Sequence, residues 1–264
     1  MSDNFSGKVA IVTGAASGIG MASAVLLAGG VGASVVAGDI DPLGAEHTVE
    51  IILAAGGQAS AATFDLADPA SIEDMVKSTH ARFRRLDILV NNAAALQLMA
   101  IDACIHEAQA TVFQQTFAAN VAGTALACRY ALEVMRRQAS GSIINLSSTA
   151  ALTADAACPA YAASKAAIIS LTRSIATSYG RDGVRCNGIA PGVVLTPAAL
   201  AAISPRQLDI YRRHTPAPRL GKPEDIAEVV AFLASEQSQY VNGAILVVDG
   251  GMSAHAPSWA DMIE

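Results

Sequence analysis

The chain has 264 residues, of which 52% are apolar and only 15% charged, with a formal net charge of −6. That composition supplies a large core and excludes extended disorder, and an acidic balance without any block of Lys or Arg gives no electrostatic basis for binding nucleic acid or an anionic membrane. The length suits one α/β domain over residues 1–264 with a small-molecule partner.

Lys8–Thr13 reads as a short strand, Gly18–Ala28 as an apolar helix and Ser34–Asp39 as a second strand, which together make a βαβ unit. No charge falls between Val9 and Gly38, a stretch long enough for a membrane span, but seven glycines interrupt it and its periodicity changes midway. Buried strands and a helix are therefore expected there. The opening Met-Ser-Asp-Asn-Phe-Ser-Gly-Lys lacks the basic start and apolar core of a secretory signal, which points to a cytoplasmic protein.

The alternation continues with a helix over about Leu43–Ala55, a strand at Ala59–Phe64, a helix from Pro69 and a strand at Asp87–Val90. A long helical pattern runs from about Glu107 to Arg137. It is followed by a strand at Ser142–Ser147, a helix over about Ala160–Tyr179, a strand at Val184–Ala190, a helix from Pro223 through Ala234 and a last strand at Ala244–Val248. Short, continuously apolar strands alternating with helices imply a Rossmann-type doubly wound parallel sheet of about seven strands, covered by helices on both faces. The segment at about 193–219, rich in Ala and Pro, breaks the pattern and is expected as a substrate lid. Arg206, Arg212, Arg213 and His214 lie on it, with substrate contact and a solvated role both open. The tail at 253–264, which holds Trp259, is expected over a site or a neighbouring subunit.

Cys104, Cys128, Cys158 and Cys186 form no C-x-x-C pair, and His47, His80, His106, His214 and His255 show no metal-ligand spacing. Neither a disulfide framework nor a metal site is expected.

The run Thr13-Gly14-Ala15-Ala16-Ser17-Gly18-Ile19-Gly20 links the first strand to the first helix, where backbone N–H groups and the positive helix end can meet a pyrophosphate. A glycine-rich turn by itself only tightens a βα corner. Asp39, closing the second strand, adds a carboxylate that can accept hydrogen bonds from adenosine ribose hydroxyls and would repel a 2′-phosphate. Ser17 stands where a basic residue would have met that phosphate. Both features favour NAD over NADP.

Tyr161 and Lys165 lie four residues apart and so share one helical face. A phenol is a poor base near neutrality, but a neighbouring ammonium favours the phenolate, so a lowered Tyr161 pKa is expected. Ser148 follows the fifth strand on its carboxyl edge, where open parallel sheets bind ligands, and can steady a substrate oxygen. A solvated Lys beside a packed Tyr would account for the pair alone; its position relative to the strand end favours chemistry.

With these motifs in place, the chain from about Lys8 to Gly251 resembles the short-chain dehydrogenases/reductases of the roughly 250-residue type. The resemblance implies a catalytic set of Asn120, Ser148, Tyr161 and Lys165, with Ser147 as the alternative serine. It implies cofactor contacts by Gly14, Ser17, Gly18, Ile19, Gly20, Asp39, Ile40, Asp65, Leu66, Asn92, Ala93, Tyr161, Lys165, Pro191, Gly192, Val194 and Thr196. In that family Lys165 would hold the nicotinamide ribose, and Asn120 would kink its helix and hold a water connecting Lys165 to solvent. The implied activity is NAD-linked hydride transfer between a secondary alcohol and a ketone, in a dimer or homotetramer. An NADPH-dependent 3-oxoacyl carrier-protein reductase and a non-catalytic NAD-binding sensor or scaffold are the other readings. The apolar character of Val193, Leu195, Ala198, Ala199, Leu200 and Ile203 favours an apolar substrate.

Three positions depart from the family pattern. Ala94 replaces the glycine of its N-N-A-G sequence, Asn242 stands where Thr is usual, and Gly29-Gly30-Val31-Gly32-Ala33 is one residue longer than the usual turn. If that insertion moved the register, Asp41 would compete with Asp39 for the ribose.

Overall fold

In a computed structural model, residues 5–29, 32–153, 157–256 and 258–262 are described. The first βαβ unit is β1 (Val9–Thr13), α1 (Gly18–Ala28) and β2 (Ser34–Asp39). Then come α2 (Pro42–Ala54), β3 (Gln58–Thr63), α3 (Pro69–Phe83) and β4 (Ile88–Asn91). The seven strands are completed by β5 (Gly141–Leu146), β6 (Val184–Pro191) and β7 (Ile245–Val248), pairing in parallel in the order β3-β2-β1-β4-β5-β6-β7.

Successive β1 side chains serve opposite faces of the sheet while all remain buried. Ala10 and Val12 join a core with Leu27 of α1, Ile52 of α2 and Val230 of α9 (Pro223–Ala234). Val9 and Ile11 join a second core with Ile72 and Met75 of α3, Met135 of α5 (Thr124–Gln138) and Ile175 of α6 (Pro159–Tyr179). Chain order reverses direction across the sheet between β1 and β4, and the crevice this opens at the carboxyl ends of the strands is where such sheets take ligands.

The long helix expected over Glu107–Arg137 is corrected by the structure. Glu107 ends a short 3-10 turn (Ile105–Glu107), α4 covers Ala110–Phe117, and a π-helical turn at Ala118–Gly123 separates it from α5. The apolar period continues through the π turn because the chain stays helical, so a sequence pattern does not register the one-turn widening. The segment expected as a lid contains two short helices, α7 (Pro197–Ala202) and α8 (Pro205–Arg213), the latter opened by a reciprocal Ser204/Gln207 capping box. A last short helix, α10, covers Trp259–Met262 in the tail. Residues 257, 263 and 264 of that tail, and residues 30 and 31 of the longer turn, lie outside the described residues.

Candidate active site

The turn after β1 is held in a shape that only glycine permits. Gly14 has φ +66°, and a Cβ there would lie 2.7 Å from Asn92 Nδ2 and 2.9 Å from Ala93 Cα. Asn92 explains the closeness: its amide donates to the carbonyls of Thr13 at 3.0 Å and Gly14 at 3.1 Å, while Thr13 Oγ1 accepts the N–H groups of Asn92 and Ala93. Gly20 is needed for close packing. A Cβ there would stand 1.9 Å from the Gly14 carbonyl oxygen, so its bareness lets α1 lie against the turn, and Gly20 is absent from the cavity wall.

A cavity of about 660 Å³ opens at the carboxyl ends of the strands. Gly14, Ser17, Gly18, Ile19, Asn92 and Ala93 line it near the turn; Asp39, Ile40, Asp65 and Leu66 line it beyond β2 and β3. Pro191, Gly192, Val194 and Thr196 line it after β6. Asp39 Oδ2 accepts the Ala16 N–H at 2.9 Å, tying the carboxylate to the glycine turn, and Asp39 Oδ1 accepts the Asp41 N–H at 3.0 Å. Asp41 itself precedes α2 and, unlike Asp39, does not line the cavity. Ala94 lines the cavity without displacing its neighbours Ala93 and Ala95 from the wall. Asn242 lies elsewhere, bridging β6 to α6 by accepting the Cys186 N–H at 2.9 Å and donating to the Ala176 carbonyl at 3.1 Å.

Ser148, Tyr161 and Lys165 meet on one wall. The Ser148 hydroxyl hydrogen-bonds the Tyr161 phenol. Ser147 also lines the cavity, but its hydroxyl is engaged elsewhere, donating to the Lys165 carbonyl at 2.8 Å. Lys165 Nζ donates to the Leu146 carbonyl at 2.8 Å and lies 5.7 Å from the Tyr161 ring centroid. The expected lowering of the Tyr161 pKa is corrected here: burial pushes the phenol up, and the Ser148 hydrogen bond pulls it down by less. Burial also lowers Lys165 to about 8.

Asn120 sits in the π turn and is buried behind the wall rather than in it. Its Oδ1 accepts the Ala95 N–H at 2.8 Å and its Nδ2 donates to Ser164 Oγ at 3.0 Å; Ser164 in turn donates to the Tyr161 carbonyl at 2.7 Å. Asn120 thus joins the loop after β4 to the helix that carries Tyr161 and Lys165.

The rest of the wall comes from residues that no motif marked. Leu96 and Met99 approach from the loop after β4, Thr153 and Cys158 from the approach to α6, Tyr211 from α8 and Met252 from the turn after β7. Of the apolar lid residues, Val193, Ala198, Ala199 and Ile203 line the cavity, while Leu195 and Leu200 do not. Arg206, Arg212, Arg213 and His214 also stay outside it; Arg212 pairs with Asp209 and Arg213 with Asp261. Among the described residues, no cluster of three or more His, Cys, Asp or Glu is placed to hold a metal ion, and no helix is long and apolar enough to cross a membrane.

A family model described as enoyl-(acyl carrier protein) reductase matches residues 14–253. A "probable short-chain type dehydrogenase/reductase" of Bradyrhizobium diazoefficiens is 42% identical over 97% of this chain and 91% of its own. The chain belongs to the short-chain dehydrogenase/reductase family. It is accordingly an oxidoreductase of a family that uses a nicotinamide cofactor. Its relatives include the cis-4-hydroxycyclohexanecarboxylate dehydrogenase of Sinomonas cyclohexanicum, 38% identical over 96% of this chain and all of that one. A solved 7α-hydroxysteroid dehydrogenase, complexed with NADH and 7-oxo glycochenodeoxycholic acid, superposes with a TM-score of 0.88 at 35% identity, covering 95% of this chain and 97% of that one. The family resemblance and doubly wound sheet expected from the sequence are thereby borne out.

Proposed function

We propose that this short-chain dehydrogenase/reductase uses NAD(H) to interconvert a neutral, apolar secondary alcohol and its ketone, with Tyr161 as general acid/base. The observation that carries the reading is the Ser148-bonded phenol of Tyr161, with Lys165 beside its ring, in the same cavity as the glycine turn and Asp39.

The residues present fit a dinucleotide. The turn at Gly14 leaves no room for a side chain, and Gly18 and Ser17 open onto the cavity at the start of α1, where a pyrophosphate is favoured. Asp39 is the acceptor for adenosine ribose hydroxyls, and Lys165 is the only basic side chain in the described wall, so nothing beside Asp39 would neutralise a 2′-phosphate. The bound nicotinamide supplies the hydride chemistry. The chain's own residues handle the proton: in reduction Tyr161 gives its proton to the substrate oxygen while Ser148 hydrogen-bonds that oxygen, and in oxidation Tyr161 takes the proton back. Lys165 places an ammonium beside the phenol and a donor toward the cofactor ribose. Asn120 fixes the helix that holds them.

Substrate class follows from the wall around Tyr161. Met99, Ala162, Val193, Ala199, Ile203 and Met252 offer dispersion contacts and no charge. A carboxylate such as that named for the Sinomonas relative would find no cation there besides Lys165. The same lack of basic residues disfavours the NADPH-dependent 3-oxoacyl carrier-protein reductase, and mere sensing of NAD needs no phenol bonded to a serine.

The test is a panel of secondary alcohols, from apolar cyclic to polyhydroxylated and acidic, incubated with the purified protein and NAD or NADP while reduced-cofactor absorbance is followed. Turnover confined to neutral apolar alcohols with NAD is expected. Preference for NADP, or for acidic substrates, would sink the corresponding part of the reading.

A further inference from the structure

Helix α6 carries Tyr161 and Lys165, yet its first turn has no cap of its own. Cys158, just before it, holds left-handed backbone at φ 58° and does not cap the helix with its side chain; Pro159 brings no N–H. The next two N–H groups both go to one distant carboxylate. Asp102 Oδ1 accepts from Ala160 at 3.2 Å and Oδ2 accepts from Tyr161 at 2.9 Å, while the Asp102 carbonyl accepts the Cys158 N–H at 3.1 Å.

Asp102 is 5% exposed, and no Lys, Arg or His is paired with it among the described residues. Two charge-assisted N–H bonds and the positive end of α6 are what hold a carboxylate there. The loop that bears it is fastened at its other end by the Ala95 N–H to Asn120 Oδ1, and between those fastenings Leu96 and Met99 line the cavity. Tyr161 is the third residue of α6, in the turn that frays first when a helix loses its cap.

We propose that Asp102 is a positioning residue for Tyr161. It caps α6 from the β4 loop, fixes the turn in which the phenol meets Ser148, and so sets the rate of proton transfer without touching substrate. The proposal rests on Tyr161 being the acid/base.

Wild type, Asp102→Ala, Asp102→Asn and Tyr161→Phe are compared by backbone hydrogen exchange, NADH titration and turnover of the best alcohol from the panel. In Asp102→Ala the amides of residues 160–164 exchange about tenfold faster or more while NADH affinity stays within about twofold. Turnover falls by about 10- to 100-fold, the cost of a slightly misplaced reacting group, and Asp102→Asn, which keeps one acceptor oxygen, falls in between. Unchanged exchange, or kcat within about twofold of wild type, overturns the proposal, as does a loss of NADH affinity equal to the loss of kcat, which marks general damage. If Asp102→Ala does not fold, Asp102→Asn decides by the same readings. The Tyr161→Phe arm separates the two claims: full activity there overturns the acid/base reading, whereas an inactive Tyr161→Phe beside a fully active Asp102→Ala overturns the role of Asp102 alone.

Discussion

Lys165 reaches back across the sheet edge to donate to the Leu146 carbonyl at 2.8 Å, which leaves its ammonium buried beside the Tyr161 ring. That burial has a pH signature. The group titrates at about 8 in the folded protein against 10.5 ordinarily, so between those values the unfolded chain holds the extra proton and stability rises with pH. Over that interval the effect is about 3 kcal/mol, of which the Cys128 thiol hides a part. Burial pushes Cys128 up to about 12 from 9.0, so above that lower value its unfolded form releases a proton that the folded form keeps, and stability falls. Comparison with Lys165→Met isolates the lysine. Denaturant midpoints should show the Met variant gaining most relative to wild type below pH 8 and progressively less toward pH 10.5. A difference constant across that range would mean that Lys165 is not buried as a charge.

The two adjacent serines give opposite expectations. Ser148→Ala removes the partner of the phenol and should lower kcat with little loss of stability, whereas Ser147→Ala leaves the phenol's partner in place and loses a buried bond worth about 1 kcal/mol. Tyr161→Phe should lose about 10²–10⁴-fold in turnover while still binding NADH. Steady-state kinetics beside thermal melts would show the split; near-normal rates for Tyr161→Phe would remove the proton carrier from the mechanism.

Asp39→Ala should weaken NAD binding more than NADP binding, because it removes both an acceptor for the ribose and the charge that repels a 2′-phosphate. Since the same carboxylate holds the Ala16 N–H, some affinity for both cofactors should fall. Fluorescence titration with NADH and NADPH reads the ratio, and an unchanged ratio would assign ribose recognition to another residue.

Gly20→Ala is expected to harm cofactor binding although Gly20 is outside the cavity. The added carbon at 1.9 Å from the Gly14 oxygen must push α1 and the turn apart. Overpacking of this kind costs about 1–3 kcal/mol, and the displaced turn should lose NADH affinity roughly tenfold or more. Calorimetry and NADH titration together check both, and wild-type affinity with only a stability loss would confine the role of Gly20 to packing.

Much of this molecule is decided by local chemistry and is readable without coordinates. The apolar runs of β1, β2 and β5 must be buried on both faces, the glycines at 14 and 18 are free to take the positive φ they show, and Tyr161 and Lys165 must share a helical face, because period and backbone sterics act over a few residues. Where packing from distant elements competes, the sequence leaves the outcome open. Three features come only from tertiary contacts: Asp39 lines the cavity while Asp41 does not, the Ser147 hydroxyl is engaged by the Lys165 carbonyl, and burial raises a phenol that the ammonium alone predicts to be lowered.

The trans cap by Asp102 left no local trace at all, since it depends on a partner dozens of residues away, and the helix irregularity at Asn120 was implied by the family resemblance alone, the apolar period running through it unbroken. The residue types and their spacing thus determine the fold class and the chemical groups at the sheet edge. Which of those groups face each other, and how far burial shifts their proton affinity, are set by long-range packing, because desolvation and hydrogen-bond geometry depend on neighbours that only the folded chain brings together.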